Sequence, residues 1–336
     1  MDVERFAAGA DPASAQALYE VYLAGAPGDE PGGPPMSPKV FIGLLSRGWC
    51  LEPRENWLAR VDGVVAGGYS LELPDREDLD RAALRLLVAP GQRRAGLGRE
   101  LLRHAADRAR ELGRRTLSGG AQDGSPGDRF ARAVGARFEL AEVRRRLDLA
   151  AIAPGHLAAL RKSAEEFADG YTLRDWDGLT PDDLLGPVAR LNEVMNDAPA
   201  LAGAEDQHWD GDRVLGVDQM CMERGLRRYS IAALDGRTGE LAALTQLSVD
   251  ETQPLWGHQE MTAVDRPHRG HRLGLLTKVA MLELLARREP RVASTEAWNA
   301  EANVHMVAIN EALGYRPVAR KNFWARPTAG AGAGQS

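Results

Sequence analysis

The stretch Val264 to Lys278 reads V-D-R-P-H-R-G-H-R-L-G-L-L-T-K. A strand-like apolar run, Met261 to Val264, meets a turn rich in Gly, Arg and His, and an amphipathic helix is predicted from Leu273. A strand, a tight Gly-containing loop and a helix N-terminus, in that order, make an anion cradle. Successive backbone N–H groups point into the concavity and the helix dipole favours negative charge there. Arg269, His271 and Arg272 bring positive charge to the same place.

The device occurs once before. Val88 to Gly98 reads V-A-P-G-Q-R-R-A-G-L-G, again strand, loop and helix. Val264, Arg269 and Gly274 stand at one offset from Val88, Arg93 and Gly98 (264 − 88 = 269 − 93 = 274 − 98 = 176). A lone loop of this kind reads equally as an ordinary strand-to-helix turn with arginines facing water. Two at one spacing imply a duplicated domain that binds a nucleotide or cofactor phosphate.

The rest of the chain fits two α/β domains. Its 336 residues suffice for two, and 44% hydrophobic with 27% charged residues is a globular composition. No apolar run approaches the roughly 20 residues that span a bilayer. Met1 to Phe6 carries no secretory pattern, so a cytoplasmic location is expected. Cys50 and Cys221 have no metal-like neighbours and read as reduced thiols. The net charge of −6 argues against broad nucleic-acid binding. No metal, nucleic-acid or membrane partner is expected, and the oligomer is a monomer or homodimer.

Residues 1–49 read as helix and loop, with a long Pro/Gly segment at 26–38 able to cover a site. Asp62-Gly63 and Asp235-Gly236, each between β-rich runs, predict two hairpins. The expected organisation is an N-terminal domain at 1–150, a helical connection at 151–170, a C-terminal domain at 171–326 and a disordered tail at 327–336. Each domain runs strand, helices, hairpin, strand, cradle, helix, strand, helix, strand, which predicts a mixed α/β sheet with packed helices.

This order of elements, with the loops Arg93-Arg94-Ala95-Gly96-Leu97-Gly98 and Arg269-Gly270-His271-Arg272-Leu273-Gly274, resembles the GCN5-related N-acetyltransferase (GNAT) superfamily. The family loop reads Gln/Arg-x-x-Gly-x-Gly/Ala; the first copy matches it, and in the second Arg272 replaces the middle Gly. Thr295, Asn299, Asn303, Met306, Asn310 and Leu313-Gly314-Tyr315 resemble the family's late segment. Many members place there, four residues before the Gly, a Tyr that protonates the departing thiolate; here that position is Asn310, and an amide is a poor acid. The N-terminal half has Ala131 at the matching place and no Asn matching Asn303. Tandem domains of this kind also occur in mycothiol synthase, whose resemblance implies chemistry in the C-terminal unit.

The resemblance implies two tandem acetyltransferase folds and transfer of an acetyl or short acyl group from acetyl-CoA, a cosubstrate, to a primary amine of a small molecule. A non-catalytic acyl-CoA-binding protein and a protein N-acetyltransferase stay open as alternatives. The implied cofactor-binding residues are Thr262, Ala263 and Val264 on the strand before the cradle, Arg269 to Gly274 (with Gly270, His271, Arg272 and Leu273) and Asn299. In the first half they are Leu86, Val88, Arg93, Arg94, Ala95, Gly96, Leu97 and Gly98. Glu260 is the first candidate base, with Asn303 and Asn310 as further catalytic candidates. Glu296 is a second base candidate, and His258 reads as a loop residue before the strand. Trp176, Trp209, Trp256, Trp298 and Trp324 read as core or as acceptor-pocket walls in the C-terminal half.

Overall fold

The computed structural model describes residues Met1–Ala329. Twelve strands and nine α-helices follow one another along them. The first run is β1 (Asp2–Phe6), α1 (Pro12–Asp29), α2 (Pro38–Ser46), β2 (Arg54–Val61), β3 (Val64–Glu72), β4 (Arg81–Val88), α3 (Leu97–Glu111), β5 (Thr116–Gln122), α4 (Pro126–Ala133) and β6 (Arg137–Asp148). The second is α5 (His156–Glu165), β7 (Tyr171–Asp177), α6 (Leu185–Glu193), α7 (Gly211–Glu223), β8 (Leu226–Asp235), β9 (Leu241–Asp250), β10 (Trp256–Val264), α8 (Leu273–Arg288), β11 (Ser294–Ala300), α9 (Val304–Leu313) and β12 (Arg316–Pro327).

The boundary expected at residue 150 is corrected. One compact unit holds Met1–Ala141, Leu201–Glu205 and the chain from Ala319; the other holds Glu142–Ala200 and Asp206–Val318. The strands that end each half decide this. Most of β6 pairs with β11, from Glu142↔Ala300 to Asp148↔Ser294, and β12 pairs with β5, from Lys321↔Gln122 to Pro327↔Thr116. Trp324, expected in the second half, therefore belongs to the first unit. Pro327 and Thr328, expected in a disordered tail, are held in place: Pro327 ends β12, and the Thr328 hydroxyl donates to the Arg114 carbonyl at 2.9 Å. Residues 330–336 lie outside the described residues.

Both units follow one plan. The first unit's strands run β1-β2-β3-β4-β5-β12 and the second's β6-β11-β10-β9-β8-β7. Within each run the neighbours are antiparallel except β4–β5 and β10–β11, which are parallel. Helices cover both faces. In the first unit α3 closes a core with Tyr69, Leu71, Leu101 and Leu117. On the other face α1 and α2 close one with Leu18, Tyr19, Phe41 and Leu58. In the second, α8 packs Val279, Met281 and Leu285 on Leu147, Leu247 and Tyr315, while α6 and α7 pack Leu191 and Val214 on Trp176 and Leu244. Enclosed from both sides, β9 is buried at all ten positions.

Local chemistry sets the boundaries. Asp11, Ser37, Ser125, Asp210 and Asn303 cap their helices through side-chain oxygens. Asp62 and Gly63 both have positive φ (51° and 78°), as a two-residue hairpin requires. The second Asp-Gly behaves differently. The Asp235 carboxylate accepts from the Arg237 and Thr238 amides, Gly239 takes the positive φ, and Gly236 lets its chain approach the Gly170 carbonyl. Residues 1–49 also hold a strand, β1, that the reading lacked. The segment expected as a loop from Ala26 is helical through Asp29, and its continuation is held where Tyr22 Oη accepts from the Met36 amide at 2.9 Å.

Candidate active site

Each cradle is a short 3-10 turn followed by two left-handed residues. In the first unit these are Arg94 (φ 69°) and Gly96 (φ 92°), with Ala95 between them; in the second, Gly270 (φ 90°) and Arg272 (φ 53°), with His271 between them. Each helix starts at the next residue, Leu97 or Leu273. The Leu276 amide donates to the Arg272 carbonyl, so the amides of Leu273, Gly274 and Leu275 precede the helical ladder and point into the loop. Gly98 and Gly274 serve packing. A Cβ on Gly98 would stand 3.3 Å from Phe130 on α4, and one on Gly274 3.2 Å from Ile309 on α9.

Apart from the exposed Arg94, the cradle arginines are already engaged. Arg93 folds back so that Nε donates to the Val88 carbonyl at 3.1 Å and Nη2 meets Asp29 at 2.7 Å. Arg269 repeats this with the Val264 carbonyl at 3.4 Å and Asp197 at 2.6 Å. Hydrogen bonds from Arg266 and then Arg269 hold Asp197 well below the usual carboxylate range. Arg272 stacks on Phe167 at 4.0 Å and donates to Ser163 Oγ at 2.5 Å, and His271 Nδ1 bonds the Phe167 carbonyl. The second cradle therefore offers a diphosphate chiefly backbone amides, and the first adds the exposed Arg94. Nothing in the sequence marked Asp29 and Asp197 as the clamps.

Upstream of the cradles the two units diverge. β10 and β11 pair at only four positions, Trp256–Gln259 with Ser294–Ala297, and then separate. Between Gln259 and Thr262, β10 carries one residue more than β9, a bulge. The Gln259 amide nitrogen fills it, donating to the Gln246 carbonyl at 2.7 Å and Thr245 Oγ1 at 3.0 Å; Thr245 and Thr262 share a 2.8 Å hydrogen bond. The bulge reverses the alternation, so Ala263 joins the α6–α7 core and Val264 the α8 side. Past Gln259 the edge of β10 that faces β11 has no partner strand among the described residues, leaving backbone groups of Glu260 to Val264 for an extended ligand. β4 and β5 also separate, after Ala83/Ser118, but β4 pairs with β3 without a bulge. Leu86 and Val88 pack on the α3 core, and the place a Cβ of Gly120 would take is filled by Lys321 and Phe323.

Asn299 stands where β11 leaves β10. Its Oδ1 accepts from Nδ2 of the fully buried Asn310 at 2.6 Å, while Asn310 Oδ1 has no donor. Asn303 caps α9, its side chain accepting from the Met306 amide at 3.2 Å. Ser125 caps α4 in the same way, so the first unit keeps the cap without the Asn.

The opposite face of the second sheet is charged. Strand register puts Arg144 and Arg146 of β6, Glu296 and Trp298 of β11 and Trp256 and His258 of β10 on it together. Arg146 pairs with Glu296 at 2.5 Å and covers Trp256 at 4.5 Å; Arg144 lies 5.6 Å over Trp298. Glu260 is bound by Arg228 at 2.8 Å, and Arg228 also holds Asp218 at 2.6 Å and Gln246 at 2.8 Å. Burial pushes the Arg228 guanidinium down, but Glu260, the Cys221 thiol and Asp218 outweigh it, so it stays cationic. Burial, then Glu260, pushes Cys221 up to about 12, an inert thiol. His258 lies inside β10, not in a preceding loop, because the strand starts at Trp256. Burial lowers its pKa against the opposing pull of Glu296, Glu260 and Asp250, which leaves a neutral imidazole at pH 7. Trp176 is core, as is Trp324 of the first unit, and Trp209 packs beside the α6–α7 core.

Parallel strands that part beside a bulge, ending in an amide-lined cradle, suit a ligand with an extended arm and a phosphate head. Residues 16–132 match the Acetyltransferase (GNAT) family. A tandem GNAT protein from the clavulanic acid biosynthesis pathway shares 31% identity over 98% of this chain and 100% of its own, with a TM-score of 0.79. A GCN5-related N-acetyltransferase from Sphaerobacter thermophilus, at 17% identity over 97% of this chain and 96% of its own, shares the fold with a TM-score of 0.66. No curated protein matches the chain. The chain is an acyltransferase of mixed α/β architecture. It belongs to the GNAT superfamily, in its tandem form. No helix among the described residues is long and apolar enough to cross a membrane, and no group of three or more His, Cys, Asp or Glu there could hold a metal ion.

Proposed function

We propose that the second unit transfers a short acyl group, acetyl first among them, from acyl-coenzyme A to a primary amine of a small molecule. The carrying observation is the bulge of β10 beside its separation from β11, on the strand that runs into the second cradle. The Gly270 to Gly274 amides hold the diphosphate, with Arg269 and Arg272 shaping the loop. Backbone groups of Thr262, Ala263 and Val264 and the Asn299 side chain hold the arm. Bound there, the cosubstrate supplies a thioester carbonyl, which N–H groups at the bulge polarise.

His258 takes the proton of the attacking amine. Glu260, the first candidate from sequence, is tied to Arg228, and Glu296 to Arg146. Both carboxylates are occupied by guanidinium groups, whereas the neutral His258 imidazole has a nitrogen able to accept a proton. Asn303 supports the site as a helix cap, and Asn310 orients Asn299. The first unit, with Arg93 to Gly98 intact but Gly120 covered, binds a coenzyme without turning it over or completes the fold. The relative from clavulanic acid biosynthesis supports an acceptor from specialised metabolism. Thiol release with acetyl-CoA over a panel of small amines and peptides tests the reading: turnover with small amines is expected, and turnover only with peptides would overturn it.

A further inference from the structure

Arg145 is a buried charge without a counter-ion. Only 7% of it is exposed, and neither Nε nor Nη1 meets an acceptor. Among the described residues no carboxylate lies within ion-pair distance of it. Its neighbours on β6 differ: Arg144 and Arg146 face the opposite side and share Glu296. Buried guanidinium groups stay protonated and are normally paired, because desolvation without a partner costs several kcal/mol.

Register locates this charge. Arg145 lies opposite Ala297, and Val143 opposite Asn299. Ala297 and Leu147 belong to the core under α8, so Arg145 shares the face of Asn299 and Asn310. It is the diagonal neighbour of Asn299, a separation that long side chains bridge. The unpartnered Oδ1 of Asn310 is on that face too. Two side chains, each more than nine-tenths buried and each with polar atoms left unpartnered (Nε and Nη1 of Arg145, Oδ1 of Asn310), thus flank the point where β11 leaves β10.

We propose that Arg145 is a catalytic residue whose charge stabilises the leaving sulfur, replacing proton donation at the Asn310 position. The inference rests on the donor reading above. The amine nitrogen bonds to the thioester carbon and gives its proton to His258. The carbonyl re-forms as the C–S bond breaks, and that bond's electron pair goes to sulfur. The products are amide, protonated His258 and thiolate. A fixed guanidinium favours the thiolate as oxyanion-hole donors favour an alkoxide.

The test is titration of the free coenzyme A thiol bound to the full chain, read by thiolate ultraviolet absorbance after calorimetry has established binding. In the wild-type complex the thiol is expected to titrate at least about one unit below its free value near 8.5, about tenfold more thiolate. Arg145→Met returns it to the free value, and Arg145→Lys keeps most of the shift. Turnover of Arg145→Met falls at least about tenfold with donor KM within a factor of about three. Its melting temperature does not fall, because an apolar side chain replaces an unpaired buried charge; Arg145→Gln carries the same test should the Met variant not fold. Identical thiol titrations in wild type and variant would overturn the proposal. Absence of coenzyme binding would overturn the donor reading itself, and calorimetry reports that separately.

Discussion

The two cradles solve one backbone problem with opposite placements. Both need two left-handed residues; the first puts arginine then glycine there, the second glycine then arginine. One glycine suffices when a neighbouring arginine tolerates positive φ, so departure from the family loop at Arg272 leaves the geometry intact. The functional difference lies upstream. β10 has a bulge and a polar wall of Asn299 and Asn310, whereas β4 has neither and Gly120 is covered. On the proposed reading, therefore, the clean loop does not mark the catalytic half; the strand that feeds the other loop does.

The largest effect should come from breaking each half in turn. Gly274→Asp and Gly98→Asp meet similar obstacles, at 3.2 and 3.3 Å, so they should cost similar stability. Gly274→Asp is expected to lower turnover at least about a hundredfold, and Gly98→Asp less than about tenfold. Steady-state thiol release on both variants, with melting temperatures as control, checks this; the reverse order would move catalysis to the first unit.

Next comes the base. His258→Gln is expected to lower kcat/KM more than about tenfold, and Glu260→Gln less. Because burial lowers the His258 pKa, wild-type kcat/KM should fall only below pH 6.5, the ordinary imidazole value, and that limb should vanish in His258→Gln. A surviving limb would return the role to Glu260.

Lys278 gives a third test, confined to the second unit. It is 2% exposed, 5.4 Å from the Tyr315 ring centre, and burial pushes its pKa down from 10.5 to about 7. The unfolded chain holds the extra proton between those values, so stability should rise with pH across that window. Lys278→Met is expected to stabilise the fold at pH 7 and below by up to about 5 kcal/mol, the gain fading towards pH 10.5. Chemical denaturation at several pH values measures it. The smallest effect separates the cradles themselves. Arg94 is exposed and Arg272 is stacked on Phe167, so Arg94→Gly should gain about 0.5 kcal/mol and Arg272→Gly nothing or a loss.

Much of this was legible in the sequence because it is local. The cradles, the duplicated order and the Asn303 cap follow from short-range patterns of glycine, charge and apolar spacing. The fate of β6 and β12 was not, because strand partnership is decided by residues more than a hundred positions away. The bulge at β10 also escaped, since one extra residue between Gln259 and Thr262 shows only against β9. Glu260 looked free as a strand glutamate; its tie to Arg228 depends on register with β8 and β9. His258 reads as a loop residue only if the strand begins after it, whereas β10 begins at Trp256, and Arg145 carried no signal beside two other arginines.

The most direct test is a crystal structure of the full chain with acetyl-CoA bound. The account predicts a diphosphate on the Gly270 to Gly274 amides and a thioester between β10 and β11, with sulfur beside Asn299 and carbonyl at the bulge. A thioester found only between β4 and β5, with the β10–β11 separation closed to the ligand, would contradict it.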